Sequence, residues 1–189
     1  MSKQFERMER CAKLACQQDD PSLRELIDLL ADPDWMVQFA AAVALGDRRD
    51  PRAKDSLLRL LRTEDDAPLY TQDKDIVSSP AGSNSAPAPE FPEGTTAATR
   101  SAWERRGRLK QAACFALADI GGADPLTLEF LHRYATDAKE DYSVRAAASR
   151  ALGTFRDPSS KPFLATAAKD EEWCTKTEAE KALKLFQEK

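Results

Sequence analysis

The feature that most restricts what this chain can fold into is a dipeptide. Of the chain's five Asp-Pro pairs, four, Asp20-Pro21, Asp50-Pro51, Asp124-Pro125 and Asp157-Pro158, each open a helical pattern. An aspartate there offers its carboxylate to the free amides of a first helical turn. A proline at the first helical position lacks the N–H that would go unused and already has a helical φ. The intervals are 30, 74 and 33 residues. The first and third agree on a period near 31, and the middle one is a period plus about 43 further residues. A repeat of this length is one supersecondary unit stacked on its neighbours.

The segments before the dipeptides repeat as well. Val37-Gln38-Phe39-Ala40-Ala41-Ala42-Val43-Ala44-Leu45-Gly46 is echoed by Val144-Arg145-Ala146-Ala147-Ala148-Ser149-Arg150-Ala151-Leu152-Gly153 and, more loosely, by Ala112 to Gly121. Apolar residues return at three- and four-residue steps, which predicts amphipathic helices closed by glycine C-caps. Their many alanines allow close helix approach. The segments after the dipeptides carry leucine stripes: Leu23, Leu26, Ile27 and Leu30, then Leu57, Leu58, Leu60 and Leu61. Phe130, Leu131 and Tyr134 follow, then Phe163, Leu164, Ala167 and Ala168. First helices are expected near 4–17, 33–46, 100–120, 141–154 and 172–187, and second helices near 21–31, 51–63, 125–137 and 158–169. The last first helix reads as a polar cap.

The pattern Asp-x-x-Val-Arg-x-x-Ala-Ala-x-x-Ala-Leu-Gly-x-x-x-Asp-Pro resembles the HEAT-like repeat of the kind associated with phycobilisome bilin lyases. Asp141, Val144, Arg145, Ala148, Ala151, Leu152, Gly153, Asp157 and Pro158 carry it in the fourth repeat. The second repeat departs with Gln38 for the arginine, and the first with Ala15-Cys16 for Leu-Gly. The resemblance implies an all-α fold, a right-handed α-solenoid of about five HEAT-like helical hairpins with one long inserted loop. Residues 1–63 hold repeats one and two, 64–98 the insertion, and 99–189 repeats three to five. It further implies that Arg145 meets a carboxylate of an inter-helix turn, with Asp157 or Asp124 the expected partner.

Residues 64–98 lose the periodicity. They carry one lysine against seven carboxylates and Pro80, Pro87, Pro89 and Pro92. The prolines forbid a regular helix. Ordering such a stretch costs on the order of 1 kcal/mol per residue, and its few apolar anchors include Tyr70, Ile76, Val77 and Phe91. We read it as a binding element rather than a spacer needed for folding. A basic run follows at once, Arg100, Trp103, Arg105, Arg106, Arg108 and Lys110, with a single acidic residue among residues 100–110. Three readings stand: a solvated extension of the third first helix neutralised by the acidic loop, a partner-binding surface, or a phosphate contact. A further candidate surface comes from the second helices, which line the concave face in arrays of this type. Arg59, Arg62, Arg133 and Lys169 fall at solvent-facing positions and form a mildly basic track, or scattered solubilising charge.

Composition narrows the function classes. A formal charge of −4 argues against a general nucleic-acid binder. No apolar run reaches the ~18 residues of a membrane span, and the charged start, Met1 to Arg7, predicts no secretory leader. Cys11, Cys16, Cys114 and Cys174 lack metal-ligand spacing, and His132 is the single histidine, so no metal or cofactor is expected. Reduced thiols fit a cytoplasmic protein. No catalytic constellation can be assembled. The expectation is therefore a non-enzymatic scaffold or adaptor that binds another protein, its oligomeric state open. A bilin-lyase-like or chaperone subunit and a HEAT-repeat DNA-repair-like binder are the alternatives.

Overall fold

The computed structural model describes residues 3–66 and 97–187 of the chain. Among them are nine α-helices: α1 Lys3–Ala15, α2 Asp20–Leu29, α3 Trp35–Arg48, α4 Lys54–Asp66, α5 Ala97–Ile120, α6 Pro125–Thr136, α7 Tyr142–Phe155, α8 Lys161–Ala167 and α9 Trp173–Leu185. Successive helices are joined as hairpins; the odd-numbered ones pack in series, α1 on α3, α3 on α5, α5 on α7 and α7 on α9, and each even-numbered helix packs on the odd one that follows it. The expected α-solenoid is therefore the observed one, with four hairpins and a terminal half-hairpin. Its core is a single chain of buried side chains, from Cys11 and Leu14 through Leu45, Leu61, Leu117, Leu131 and Leu152 to Ala182. Each fully buried leucine stabilises the array by about 1.5–3 kcal/mol.

The aspartates cap as expected, with one shift of register. Asp124 accepts a hydrogen bond from the Thr127 amide at 2.9 Å, and Asp141 from the Ser143 amide at 2.7 Å. At the first dipeptide, however, the N-cap is Asp19, whose carboxylate takes the Ser22 amide at 2.8 Å, while Asp20 sits inside the helix. Asp20 is thereby freed to pair with Arg52 of the next hairpin at 2.8 Å.

Helices expected to begin at 51 and 158 instead open with 3-10 turns, Pro51–Ala53 and Pro158–Ser160. The hydrogen bonds of the first turn show the difference. Asp50 and Asp157 bind the amide two residues on, Arg52 and Ser159, and their carbonyls accept from the third residue, Ala53 and Ser160. Asp19 and Asp124 bind the amide three residues on and their carbonyls accept from the fourth, Leu23 and Leu128. The carbonyl's partner marks the difference rather than the carboxylate's: Asp141 also caps the amide two residues on, yet its carbonyl accepts from both the third and the fourth residue, Val144 and Arg145, and an α-helix follows.

Of the glycines expected to close helices, Gly121 does so, left-handed at φ 78° directly after α5, and two others do something else. Gly46 and Gly153 are not C-caps. The left-handed caps are Arg49 and Arg156, at φ 56° and 53°. A Cβ at Gly46 would lie 2.9 Å from Ala116 Cα, and one at Gly153 would lie 2.8 Å from Ala182 Cα. These glycines let α3 meet α5 and α7 meet α9 backbone to backbone.

Cations tie three of the first helices, α1, α5 and α7, to the turn that follows their hairpin. Arg145, 2% exposed, pairs through Nε with Asp170 Oδ2 at 2.9 Å and donates to the Glu140 carbonyl at 2.6 Å. The expected partners Asp157 and Asp124 are not the ones used. Asp170 belongs to the turn between α8 and α9, the one that closes Arg145's own hairpin. Arg7 meets Asp32 in the same way at 3.0 Å, and Lys110 meets Glu140. Asp32 and Asp170 each also accept the amide two residues on, at 2.9 and 2.8 Å. The one repeat with a neutral residue in this column, Gln38, is the repeat whose closing turn is the inserted segment.

Candidate partner-binding surface

The anticipated surface residues divide into groups. Tyr70, Ile76, Val77 and Phe91 lie outside the described residues, as does the Arg100 side chain. The basic run forms the N-terminal turns of α5, a placement common to its three readings. Trp103 is only 8% exposed and packs inward, so it offers a partner little surface. Arg105 and Arg108 are exposed and Arg106 is half-buried. Lys110 is buried in its pair with Glu140.

On the second helices, Arg62 and Arg133 converge on one ring. Their guanidinium carbons lie 5.9 and 5.2 Å from the Phe130 centroid, and Arg133 also lies 4.9 Å from that of Tyr134. Each is within cation–π range. Arg59 lines a cavity of about 340 Å³ between α2 and α4, with Ile27, Leu30 and Leu60 as its apolar wall. Lys169 stands in the turn after α8, one hairpin beyond Arg133. The track is thus continuous between Arg62 and Arg133, and its ends are separate.

A larger feature lies on the other face and was not anticipated. Two adjoining cavities, of about 360 and 260 Å³, form a groove across α3, α5, α7 and α9. Phe39, Val43 and Phe115 line the first; Phe115, Ala146 and Trp173 line the second. Gln111, Phe115 and Arg150 belong to both. Trp173 is 64% exposed and Val43 42%, large apolar surfaces for residues facing water. The Arg150 guanidinium sits 5.4 Å from the Phe115 ring centroid. Asp47 and Asp119 stand at one end. At the other, Glu178 and Lys181 neutralise each other at 2.7 Å.

This groove follows from the repeat register. Counting from Val37, Leu109 and Val144, the positions two on are Phe39, Gln111 and Ala146, and those six on are Val43, Phe115 and Arg150. One helical turn separates the two columns, so they lie on one face of each helix. Reading the repeats in columns would have found it.

His132 has more of a setting than the sequence suggested. Its Nε2 lies 2.9 Å from Ser160 Oγ, and its ring stacks on Phe163 at 3.9 Å. Burial lowers its pKa, with the Asp157 charge opposing. Ser160 is fully buried, however. A nucleophile with no exposed atom reaches no substrate, and the pair links α6 to α8 instead. Among the described residues no cluster of three or more His, Cys, Asp or Glu could hold a metal, and no helix is long and apolar enough to cross a membrane.

No curated protein matches the chain. The sequence profile of HEAT repeats matches residues 7–71 and 99–184. That match concerns the repeat itself and does not single out the bilin-lyase type. It breaks where the acidic, proline-rich segment interrupts the array, and it covers the hairpins whose Asp caps, close glycines and buried cation–carboxylate pairs are described above. The chain belongs to the HEAT-repeat family.

Proposed function

We propose that the protein is a binding scaffold that holds another protein and performs no reaction of its own, with the groove across the first helices as its principal docking surface. The observation that carries this reading is the groove's lining. Phe39, Val43, Phe115 and Trp173 present aromatic and aliphatic surface on a face that the described residues leave uncovered. Buried aromatic anchors dominate protein–protein affinity. The sealed His132–Ser160 pair supports the absence of catalysis. Four free cysteines, two of them buried, fit a reducing compartment such as the cytoplasm.

A second contact on the opposite face is favoured by Arg62 and Arg133 around Phe130. The acidic segment 64–98 would extend that surface as a binding element. A photo-crosslinking amino acid placed at Phe39, or separately at Arg133, tests both. Capture from the Phe39 position that disappears when Val43→Arg fills the groove is the expected result. Capture from Arg133 alone would move the principal surface to the second helices. Capture from neither position would remove the scaffold reading.

A further inference from the structure

The groove's charges say more about its occupant than its shape does. Arg150 stands where the two halves of the groove join, exposed, with its guanidinium over the Phe115 ring and no ion pair to a described residue. Among the described residues it is the groove's one cation without a carboxylate, because Lys181 is taken by Glu178. Apolar surface flanks it on both sides, Phe39 and Val43 toward one end, Ala146 and Trp173 toward the other. Low-dielectric walls strengthen a charge–charge contact made between them. At the α3 end the sign reverses, since Asp47 and Asp119 are exposed and no described residue neutralises either.

We propose that the groove binds a peptide segment of a partner protein with a fixed polarity of charge. A carboxylate side chain pairs with Arg150, bulky apolar residues on either side of it seat against Val43 and Trp173, and a basic residue lies beyond them toward Asp47 and Asp119. This rests on the reading of the groove as the docking surface. It adds which peptides the groove accepts and in which direction they run. An apolar segment without the acid would leave a guanidinium covered and unpaired, and a reversed segment would set like charges together. Both are penalised, so the charge pattern selects the partner more than it tightens the contact.

The test uses a displayed library of random peptides selected on the full chain. Groove dependence is read with Val43→Arg, an exposed position whose substitution fills the groove, and polarity with Arg150→Glu, also exposed; circular dichroism confirms that both variants remain helical. The expected outcome is that selected peptides share an acidic position between apolar ones. Their affinity should fall about tenfold or more on Arg150→Glu, and a peptide with lysine at that position should bind Arg150→Glu better than it binds the native chain. Peptides that need an unfilled groove but are indifferent to Arg150→Glu would overturn the polarity and leave the docking surface standing. Peptides that bind Val43→Arg as well as the native chain, or a library that yields no binders, would overturn both.

Discussion

Replacing Arg145 with methionine keeps most of the side chain's length and removes its charge. In the native chain the guanidinium serves three partners. It pairs with Asp170 at 2.9 Å through Nε, and it donates to the carbonyls of Glu140 at 2.6 Å and Ala138 at 3.3 Å. Breaking a buried ion pair from one side costs roughly 3–5 kcal/mol, because the remaining charge stays in a poorly solvated site. Asp170 is 15% exposed and keeps the Glu172 amide at 2.8 Å, which places the expected loss near the lower end, about 3 kcal/mol. In a chain of this length each kcal/mol moves Tm by about 2–4 °C, so the variant should melt about 6–12 °C lower. Arg7→Met removes the equivalent cation from the first hairpin, where the side chain is 39% exposed. That pair is screened, and its loss should cost no more than about 1 kcal/mol. Urea unfolding followed by circular dichroism measures both. If Arg145→Met shifts the midpoint no further than Arg7→Met, the argument from burial is wrong. A second check is the double variant with Asp170→Asn. Strict additivity would mean the two residues do not act as a pair.

Gly46→Ala and Gly153→Ala should each destabilise the array by about 1–3 kcal/mol by forcing helices apart, offset by roughly 1 kcal/mol of helix propensity; a net gain in urea midpoint would show that the helices can separate freely. Glu172 is buried, and burial raises its pKa against the pull of Arg145, with Asp170 and Asp141 adding to the rise. A carboxyl whose folded pKa is raised is most stabilising while protonated, so Glu172→Gln should raise Tm at pH 7 and lose that advantage below the unfolded pKa, about 4.3. His132 runs the other way, its folded pKa lying below the unfolded value of about 6.5; its contribution should be full above that value and fade as pH falls through the folded pKa, and a proton NMR titration placing its pKa above 6.5 would contradict this. Toward a water-soluble disulfide reagent, Cys16 should react fast, Cys174 slowly, and Cys11 and Cys114 only on unfolding; four equal rates would mean the core is not closed. A short Gly-Ser linker replacing residues 70–94 should preserve helical content and Tm, and unfolding of the variant would make that segment part of the core.

The period, the number of hairpins and the leucine stripes were legible in the sequence because each depends on neighbours three or four residues away. An aspartate beside a proline offers a cap to whatever helix follows, in any tertiary setting. Helix ends were less legible, because a cap is chosen among adjacent candidates. Asp19 and Asp20 are equally good acceptors by composition, and only the backbone path separates them. The same holds for Asp50 and Asp157, whose carbonyls accept from the third residue and open a 3-10 turn, a choice that the dipeptide alone does not make.

Gly46 and Gly153 show where local reasoning gives way. Glycine after a helical run suggests a left-handed end, and that is how these two read in the sequence. What decides their role is Ala116 and Ala182, 70 and 29 residues further along the chain. Arg145 is the same case, since its need for a carboxylate was written in the repeat but Asp170 became its partner only through the path of the α8–α9 turn. Periodicity and capping chemistry determined that this chain would be a stack of helical hairpins. Which residues touch across hairpins, and therefore where Phe39, Phe115, Arg150 and Trp173 meet to line a groove, was decided by the packing of the stack, because those distances depend on how closely small residues let the helices approach.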